Sequence, residues 1–309
     1  MPSGPPSRLD DVASGPGRAC WRGCSPARSL ESMTAEPGPA TEEPALLPTV
    51  GQATSALMAS WPALDERRIG GWRLGFAEGF TRRANSVWML GPAGETQLAL
   101  GAVEEAYRVR GLPSQFLATG SADPRDVAAL EAFGYSPTLT GRILCRSLRG
   151  GEPAALEGES GGGESTGDLV AVTQAGPELP PDWLDAWLSW SDRRLARDRR
   201  LAPRILSSGG SSFLGVRQER TLVALARVTV VDGTGVIDCL VTQSAHRGRG
   251  HGRLLLRHAQ QEAAQRGATS CLAMVVESNA VSRRLFHRAG FTALSSFTYL
   301  QAPERVSCC

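Results

Sequence analysis

The sequence predicts an α/β (α+β) fold, a mixed β-sheet flanked by helices, and three observations support this prediction. Apolar, strand-like runs alternate with helix-like segments along residues 168–303. Within that block a glycine-rich turn connects a strand to a strongly periodic helix. A smaller block, residues 47–149, repeats part of the same order. A chain of 309 residues has room for about two such domains.

The first block begins with strands and continues with a helix, a strand and a second helix. Strands are predicted at 72–76, 86–90 and 115–119, and helices at 97–110 and 124–135. The second helix closes on Gly134 and Tyr135, just as a helix of the second block closes on Gly290 and Phe291. The two blocks are therefore expected to share a fold.

The second block supplies most of the predicted sheet. Strands are predicted at 169–172, 213–216, 221–230, 235–243, 271–276 and 291–300, and helices at 182–190, 252–266 and 280–289. The pair Asp232-Gly233 is typical of a hairpin turn and connects two of these strands. Trp183, Trp187 and Trp190 share one helix face, which favours a core position over a wall of a substrate site.

Three segments outside the blocks are predicted to lack a fixed structure. Residues 1–46 are rich in proline, glycine, serine and acidic side chains and have little apolar surface to bury, so a disordered tail is expected. Residues 150–167 are glycine-rich and are interpreted as a flexible linker. Residues 304–309 are interpreted as a C-terminal tail.

Composition limits the classes of function. The formal charge of +2 is too small to indicate a nucleic-acid partner. No apolar run reaches the roughly 18 residues of a membrane span, and the amino terminus lacks a secretory pattern, so a cytoplasmic location without membrane contact is expected. The seven cysteines have no zinc-like spacing, and no metal site is predicted.

The most informative segment is the glycine loop, residues 247–252, which reads Arg-Gly-Arg-Gly-His-Gly between a strand and a helix. Glycine lets the backbone approach a ligand closely, and the first turn of a helix offers unpaired N–H groups and the positive end of its dipole. These features predict a phosphate-binding loop. The third glycine of a dinucleotide fingerprint is missing, and the chain has no lysine for a P-loop.

The R-x-x-G-x-G pattern of this loop resembles the coenzyme A pyrophosphate loop of the GNAT superfamily of N-acetyltransferases. Downstream, residues 279–291 resemble the N-x-x-A-x-x-L-Y-x-x-x-G-F segment of that family, in the family's order. The resemblance covers the whole second block. In the first block, residues 79–86 and 107–113 resemble segments of actinobacterial tandem GNAT proteins. Because no R-x-x-G-x-G precedes the helix at 97–110, a smaller, degenerate GNAT-like domain is expected there.

The resemblance implies an acetyl-CoA-dependent N-acetyltransferase acting on a primary amine of a small molecule or a protein. In this family the strands on either side of the loop diverge, the pantetheine arm pairs with backbone in the gap, and a main-chain N–H binds the oxyanion. The residues implied in cofactor binding are Leu240, Val241, Thr242, Arg247, Gly248, Arg249, Gly250, His251, Gly252, Arg253, Asn279 and Phe286. For Asn279, a cap on the following helix is an equally supported role.

The catalytic groups are less well defined. Asp238 occupies a strand position where family members often place an acid, and a carboxylate helps to deprotonate an amine. Pairing of Asp238 with an arginine is an equally supported alternative. Phe286 replaces the family's general-acid tyrosine, which leaves Tyr299 or water to protonate the thiolate. A thiol has a pKa near 8.5, so releasing the thiolate without a general acid costs roughly 2 kcal/mol at neutral pH. An active but slow enzyme is therefore expected.

Two polar segments have alternative interpretations. The arginines within residues 193–200 would either form a solvated helix face or recognise an acidic substrate or the cofactor's 3′-phosphate. Residues 81–86 would either bind a substrate or dock on the second block.

Three functions are compatible with the sequence: an acetyltransferase, a CoA-binding sensor or regulatory module in which Phe286 marks lost catalysis, and a scaffold that binds no CoA. The intact glycine loop argues against the scaffold. The sequence does not identify the acceptor amine, and it leaves the oligomeric state open, with a homodimer as one option.

Overall fold

The computed structural model describes residues 47–149, 170–175, 178–193 and 195–302. The tail predicted at 1–46, the linker predicted at 150–167 and the tail predicted at 304–309 lie outside these residues. Within the described part of the chain, no helix combines the length and the apolar character that crossing a bilayer requires.

The described residues of the first half, 47–149, form three α-helices and five strands. They are α1 (Val50–Ser60), β1 (Asp65–Ile69), β2 (Trp72–Phe76), β3 (Val87–Met89), α2 (Thr96–Arg108), β4 (Gln115–Thr119), α3 (Pro124–Ala132) and β5 (Ser136–Ser147). The strands and helices predicted between residues 72 and 135 are confirmed. The helix α1 and the strands β1 and β5 were not predicted.

The part of the second half that the structure describes contains six strands and four α-helices. They are β6 (Val170–Ala175), α4 (Pro181–Trp190), α5 (Ala196–Leu206), β7 (Ser211–Gln218), β8 (Thr221–Val231), β9 (Thr234–Thr242), α6 (His251–Gln265), β10 (Ser270–Val276), α7 (Ala280–Arg288) and β11 (Thr292–Gln301). Every predicted element of this half is present. The arginine-rich segment that follows the tryptophan helix forms α5, whose apolar residues Leu201 and Ile205 are fully buried.

All eleven strands belong to one sheet, in the order β1-β2-β3-β4-β11-β5-β10-β9-β8-β7-β6. The pairs β3–β4 and β9–β10 are parallel, and the other pairs are antiparallel. Each parallel pair is connected through a helix, α2 in the first half and α6 in the second, as parallel strands require. The predicted mixed sheet flanked by helices is therefore confirmed.

The last strands of the two halves are exchanged. β5 ends the first half but pairs with β10 of the second, where Ser147 lies opposite Ser270. β11 ends the second half but pairs with β4 of the first, where Gln301 lies opposite Gln115. The blocks predicted at 47–149 and 168–303 consequently share one continuous sheet, and side chains of β5 reach the helices of the second half.

Helices of the second half cover both faces of the sheet. Along β8, Ala224 and Val228 pack with α6 while Leu225 packs with α4 and α5, because alternate residues of a strand face opposite sides. Trp183 and Trp187 are 2% and 4% exposed, so the tryptophan face of α4 is core, as the sequence favoured.

Candidate cofactor site

The glycine loop lies between β9 and α6, as predicted. Gly248 and Gly250 have φ angles of 79° and 82°, in the left-handed region that favours glycine. The first hydrogen bond of α6 runs from the Leu254 N–H to the Gly250 carbonyl, at 3.0 Å. The helix itself therefore leaves the preceding amides unpaired, and they are available to an anion.

β9 and β10 diverge beside this loop. Their parallel pairing covers only Thr234–Val236 against Ser270–Leu272, although β9 continues to Thr242 and β10 to Val276. A bulge bends β9 away: Cys239 has a φ of 53°, and the register with β8 passes from Asp238 directly to Val241. The strand divergence implied by the sequence resemblance is confirmed.

A cavity of about 580 Å³ opens between α6 and α7 and is called the α6–α7 groove below. It reaches from the end of β9, past the glycine loop, to the middle of α6 and the end of α7. The predicted cofactor residues that line it are Leu240, Val241, Thr242, Arg247, Gly248, Gly250, His251, Gly252, Arg253 and Asn279. Arg249 and Phe286 do not line it.

The groove is strongly basic. Its lining contains the six arginines Arg146, Arg247, Arg253, Arg257, Arg284 and Arg288. The described residues of the lining include no aspartate or glutamate, and no described carboxylate forms an ion pair with any of the six. Such a groove favours a ligand that carries several negative charges.

Two histidines of the groove lining, His246 and His251, each have a buried ring nitrogen without a hydrogen-bond partner in the described structure. His251, 6% exposed, has a buried Nε2 without a hydrogen-bond partner in the described structure. Burial lowers the pKa of His251, and the charges of His246 and Arg249 lower it further. The lowered pKa favours the neutral imidazole near pH 7.

Sequence reasoning missed much of the helical lining. The additional residues are Arg146, His246, Leu256, Arg257, Gln260, Val281, Ser282, Arg284, Leu285, Arg288 and Ala289. Most of them recur every three or four residues on α6 and α7, so they share one face of each helix. This spacing could have identified them, because Arg253 of α6 and Asn279 before α7 were already predicted to bind the cofactor. Arg146 could not be found in this way, because it arrives on the exchanged strand β5.

Asn279 has the capping role that the sequence allowed, and its role in cofactor binding stays a prediction. Its side-chain Oδ1 accepts a hydrogen bond from the Ser282 N–H at 3.0 Å, so it caps α7. It also lines the α6–α7 groove.

Phe286 lies in the core rather than in the groove. It is 4% exposed and packs edge-on against Phe291, with ring centroids 5.0 Å apart. Tyr299, the suggested substitute acid, is also buried among apolar side chains of the shared sheet. Burial raises the pKa of Tyr299 to about 12, despite the opposing charges of Arg83 and Arg82. Neither residue lines the groove.

Asp238 adopts the alternative arrangement predicted for it, a pair with arginine. It accepts hydrogen bonds from Arg227 Nε at 2.8 Å and Nη2 at 2.7 Å, and from Arg83 Nη2 at 3.0 Å. Burial alone would raise the pKa of Asp238, but the charges of Arg227 and Arg83 outweigh it and hold the pKa below its usual value. The role of Asp238 as a general base stays a prediction.

Arginines of the 193–200 segment contact residues 78–80, which directly precede the polar segment 81–86. Arg193 donates to the Phe80 carbonyl at 2.7 Å, Arg197 donates to the Glu78 carbonyl at 3.1 Å, and Arg200 pairs with the Glu78 carboxylate. Arg83 reaches Asp238 on the other side. Residues 81–86 therefore dock on the second half, and these arginines of the 193–200 segment hold the first half rather than a phosphate.

The corresponding loop of the first half is occupied by the protein itself. This loop, residues 90–95, lies between β3 and α2, as the glycine loop lies between β9 and α6. The buried carboxylate of Asp126 accepts hydrogen bonds there from Ala93 N at 2.8 Å, Thr96 Oγ1 at 2.6 Å and Trp72 Nε1 at 3.1 Å. An internal anion thus takes the donors that an external one would need.

Known protein families match both halves of the chain. Residues 177–291 match the acetyltransferase (GNAT) family, and residues 50–155 match a family described as probable histone acetyltransferase Rv0428c, C-terminal. An uncharacterized N-acetyltransferase, YobR of Bacillus subtilis (strain 168), is 28% identical over 256 residues, which cover 78% of this chain and 94% of that protein.

Solved structures share the fold. A GCN5-related N-acetyltransferase from Kribbella flavida aligns with a TM-score of 0.61 at 18% identity, covering 82% of this chain and 94% of its own. A tandem GNAT protein from the clavulanic acid biosynthesis pathway aligns with a TM-score of 0.54 at 16% identity, covering 67% and 69%. The similarity therefore includes proteins with two such halves in one chain.

Proposed function

Residues 177–291 are an acetyltransferase domain of the GNAT family, and from this premise we propose that the protein is an acetyl-CoA-dependent N-acetyltransferase. Its acceptor is a primary amine of a small molecule or a protein, and its site of action is cytoplasmic.

The observation that carries this proposal is the α6–α7 groove. The glycine loop offers unpaired amides to a pyrophosphate, and the six arginines supply the charge that a polyanionic cofactor requires. At the other side of the loop, the gap between β9 and β10 gives a thioester arm access to the sheet. A cofactor with a phosphate-rich head and a narrow tail fits this combination.

The bulge in β9 is suited to stabilise the reaction. An acetyl thioester supplies the acyl group, and the amine nitrogen forms a bond to its carbon as the carbon–sulfur bond breaks. The bulge leaves Leu240 outside the register of β8, so its N–H is a candidate donor to the oxyanion. Leu240 lines the groove, two residues from Asp238.

The charges behind the bulge favour a neutral amine. The two positive charges of Arg83 and Arg227 exceed the single negative charge of Asp238, so the cluster is positive. A positive environment lowers the pKa of an approaching ammonium group and helps it to lose its proton before attack. It also stabilises the negative charge that develops on the departing sulfur. In this proposal Asp238 orients the two arginines, and solvent removes the proton.

Cofactor binding tests the proposal directly. We expect acetyl-CoA and CoA to bind the full chain in calorimetric titrations, and thiol release from acetyl-CoA to follow the addition of amines from a broad panel. Gly250→Glu should abolish binding, because the new side chain enters the glycine loop. The matched control is Gly94→Glu, since both glycines have a positive φ and open space around them. Unchanged affinity in Gly250→Glu would show that the loop is not the phosphate site.

A CoA-binding sensor or regulatory module is the second candidate. It is favoured by the buried position of Phe286, which offers no hydroxyl, and by the engagement of Asp238 with two arginines. The thiol-release assay separates the two functions. A protein that binds acetyl-CoA but releases no thiol with any amine of the panel is a sensor, whereas amine-dependent release identifies an enzyme.

A further inference from the structure

The α6–α7 groove continues well beyond the glycine loop. From Arg253 to Gln260, α6 advances by about 10 Å at its rise of 1.5 Å per residue, and both residues line the groove. A pyrophosphate held at the loop does not reach this far end. The far end is nonetheless the site of three more arginines, Arg146, Arg257 and Arg288.

The three arginines of the far end come from three different elements that meet there. Arg146 of β5 donates from Nη1 to the Gln260 side chain of α6 and, at 2.7 Å, to the Ala289 carbonyl of α7. Gln260 follows Arg257 by three residues on one face of α6, and Ala289 directly follows Arg288. The contacts of Arg146 thus place its guanidinium against both α6 and α7, the helices that carry the other two arginines.

No internal anion balances these charges within the described residues. None of the three arginines forms an ion pair with a described carboxylate, and the described lining contains no acidic residue. Three like charges around one cavity repel each other until an anion binds. Three arginines of the 193–200 segment, which the sequence suggested as an alternative phosphate site, are engaged with the first half: Arg193 through Phe80, and Arg197 and Arg200 through Glu78.

We propose that Arg146, Arg257 and Arg288 form a second anion site that binds the phosphomonoester on the nucleoside end of the cofactor, so that the protein selects CoA over 3′-dephospho-CoA. This inference rests on the proposed function. It also gives the first half a direct role, because the exchanged strand β5 delivers Arg146 to a groove that otherwise belongs to the second half.

The test compares CoA and 3′-dephospho-CoA by calorimetry on the full chain at fixed ionic strength. The wild type should prefer CoA by about tenfold or more, the effect of charge-assisted hydrogen bonds to one phosphate. In Arg257→Gln and Arg288→Gln, which alter helix positions outside the core, the preference should fall to about twofold. Arg146→Gln should do the same wherever its melting temperature shows that it is folded.

The control is Arg68→Gln, which removes an exposed arginine from β1 at the far edge of the sheet and should keep the full preference. Equal affinity of the wild type for the two nucleotides would overturn this inference and leave the proposed function intact. A wild type that binds neither nucleotide would overturn both. A preference that survives in Arg257→Gln, Arg288→Gln and Arg146→Gln would show that the phosphomonoester binds elsewhere.

Discussion

Arg227 of β8 and Asp238 of β9 form a two-point salt bridge inside the protein, with Nε–Oδ1 and Nη2–Oδ2 distances of 2.8 and 2.7 Å. Arg227 is fully buried, and its other hydrogen bonds go to the carbonyls of Ile205, Leu206 and Ser60. Because Ser60 belongs to α1, the pair connects β8 and β9 of the second half to the first half.

Asp238→Asn should destabilise the protein strongly. The substitution leaves the buried Arg227 and the neighbouring Arg83 without their counter-charge, and removing one partner of a buried pair costs about 3–5 kcal/mol. Chemical denaturation of the variant and the wild type would measure this loss. The matched control is Asp185→Asn, which breaks an exposed pair with Arg199 and should cost under about 1 kcal/mol. Equal losses in the two variants would contradict the structural role of Asp238.

The contribution of Asp238 should disappear in acid. Its folded pKa lies below the unfolded value of about 3.9, so the unfolded state binds the proton more readily. The stabilisation is therefore fully present above that value and is lost as the pH falls through the lower folded pKa. We expect the unfolding free energies of the wild type and Asp238→Asn to converge below about pH 4. A difference that is independent of pH between 7 and 3 would refute this, as measured by denaturation at each pH.

Gly252→Leu should separate stability from cofactor binding. Gly252 is in the first turn of α6, and a Cβ there would lie 3.5 Å from Leu285 and 3.9 Å from Thr242, inside the groove. Leucine is a better helix former than glycine by up to about 1 kcal/mol, so folding should not suffer. Binding of CoA, however, should weaken by at least about tenfold, since the side chain takes the ligand's space.

Gly101→Leu is the matched control for Gly252→Leu. Gly101 lies in α2, with open space around its Cα, so the same substitution has the same helix effect away from the groove. Calorimetric titration should give wild-type affinity for Gly101→Leu. Wild-type affinity in Gly252→Leu as well would mean that the ligand does not occupy this part of the groove.

The sequence alone predicted the parts of the site that are formed by consecutive residues. The glycine loop is a strand–turn–helix motif, and its requirement for positive φ at Gly248 and Gly250 is visible in the residue types themselves. The strand gap followed from the family resemblance. The spacing of apolar residues in amphipathic segments such as α2 and α6 likewise predicts a helix.

The features that depend on pairing between strands distant in the chain could not be predicted from the sequence. β5 is half exposed and begins with Ser136-Pro137, so it carries no simple strand pattern, and its partners β10 and β11 are more than 100 residues away. The position of Arg146 follows from that exchange alone. For Asp238, one of the two arginine partners, Arg83, comes from a separate segment of the first half, and the sequence alone does not place it beside Asp238.

Phe286→Tyr should lower stability without raising activity. The ring is buried against Phe291, and a hydroxyl placed in this apolar contact costs about 1–3 kcal/mol unless it finds a partner. Thermal unfolding should show the loss, and the thiol-release rate should not increase. Phe133→Tyr is the control, since Phe133 is 46% exposed and tolerates a hydroxyl. A faster Phe286→Tyr enzyme would indicate that position 286 reaches the leaving sulfur after all.

The protein should bind one CoA per chain, because the loop of the first half already holds the carboxylate of Asp126. Calorimetry of the wild type should give a stoichiometry near one per chain. Asp126→Asn replaces one acceptor oxygen by an amide donor that faces Thr96 or Ala93, and it should destabilise the fold by about 1–3 kcal/mol. Glu131→Gln, an exposed change on the same helix α3, should have little effect. Two equivalent CoA molecules per wild-type chain would contradict the internal occupation of the first loop, because Asp126 and a phosphate cannot use the same donors.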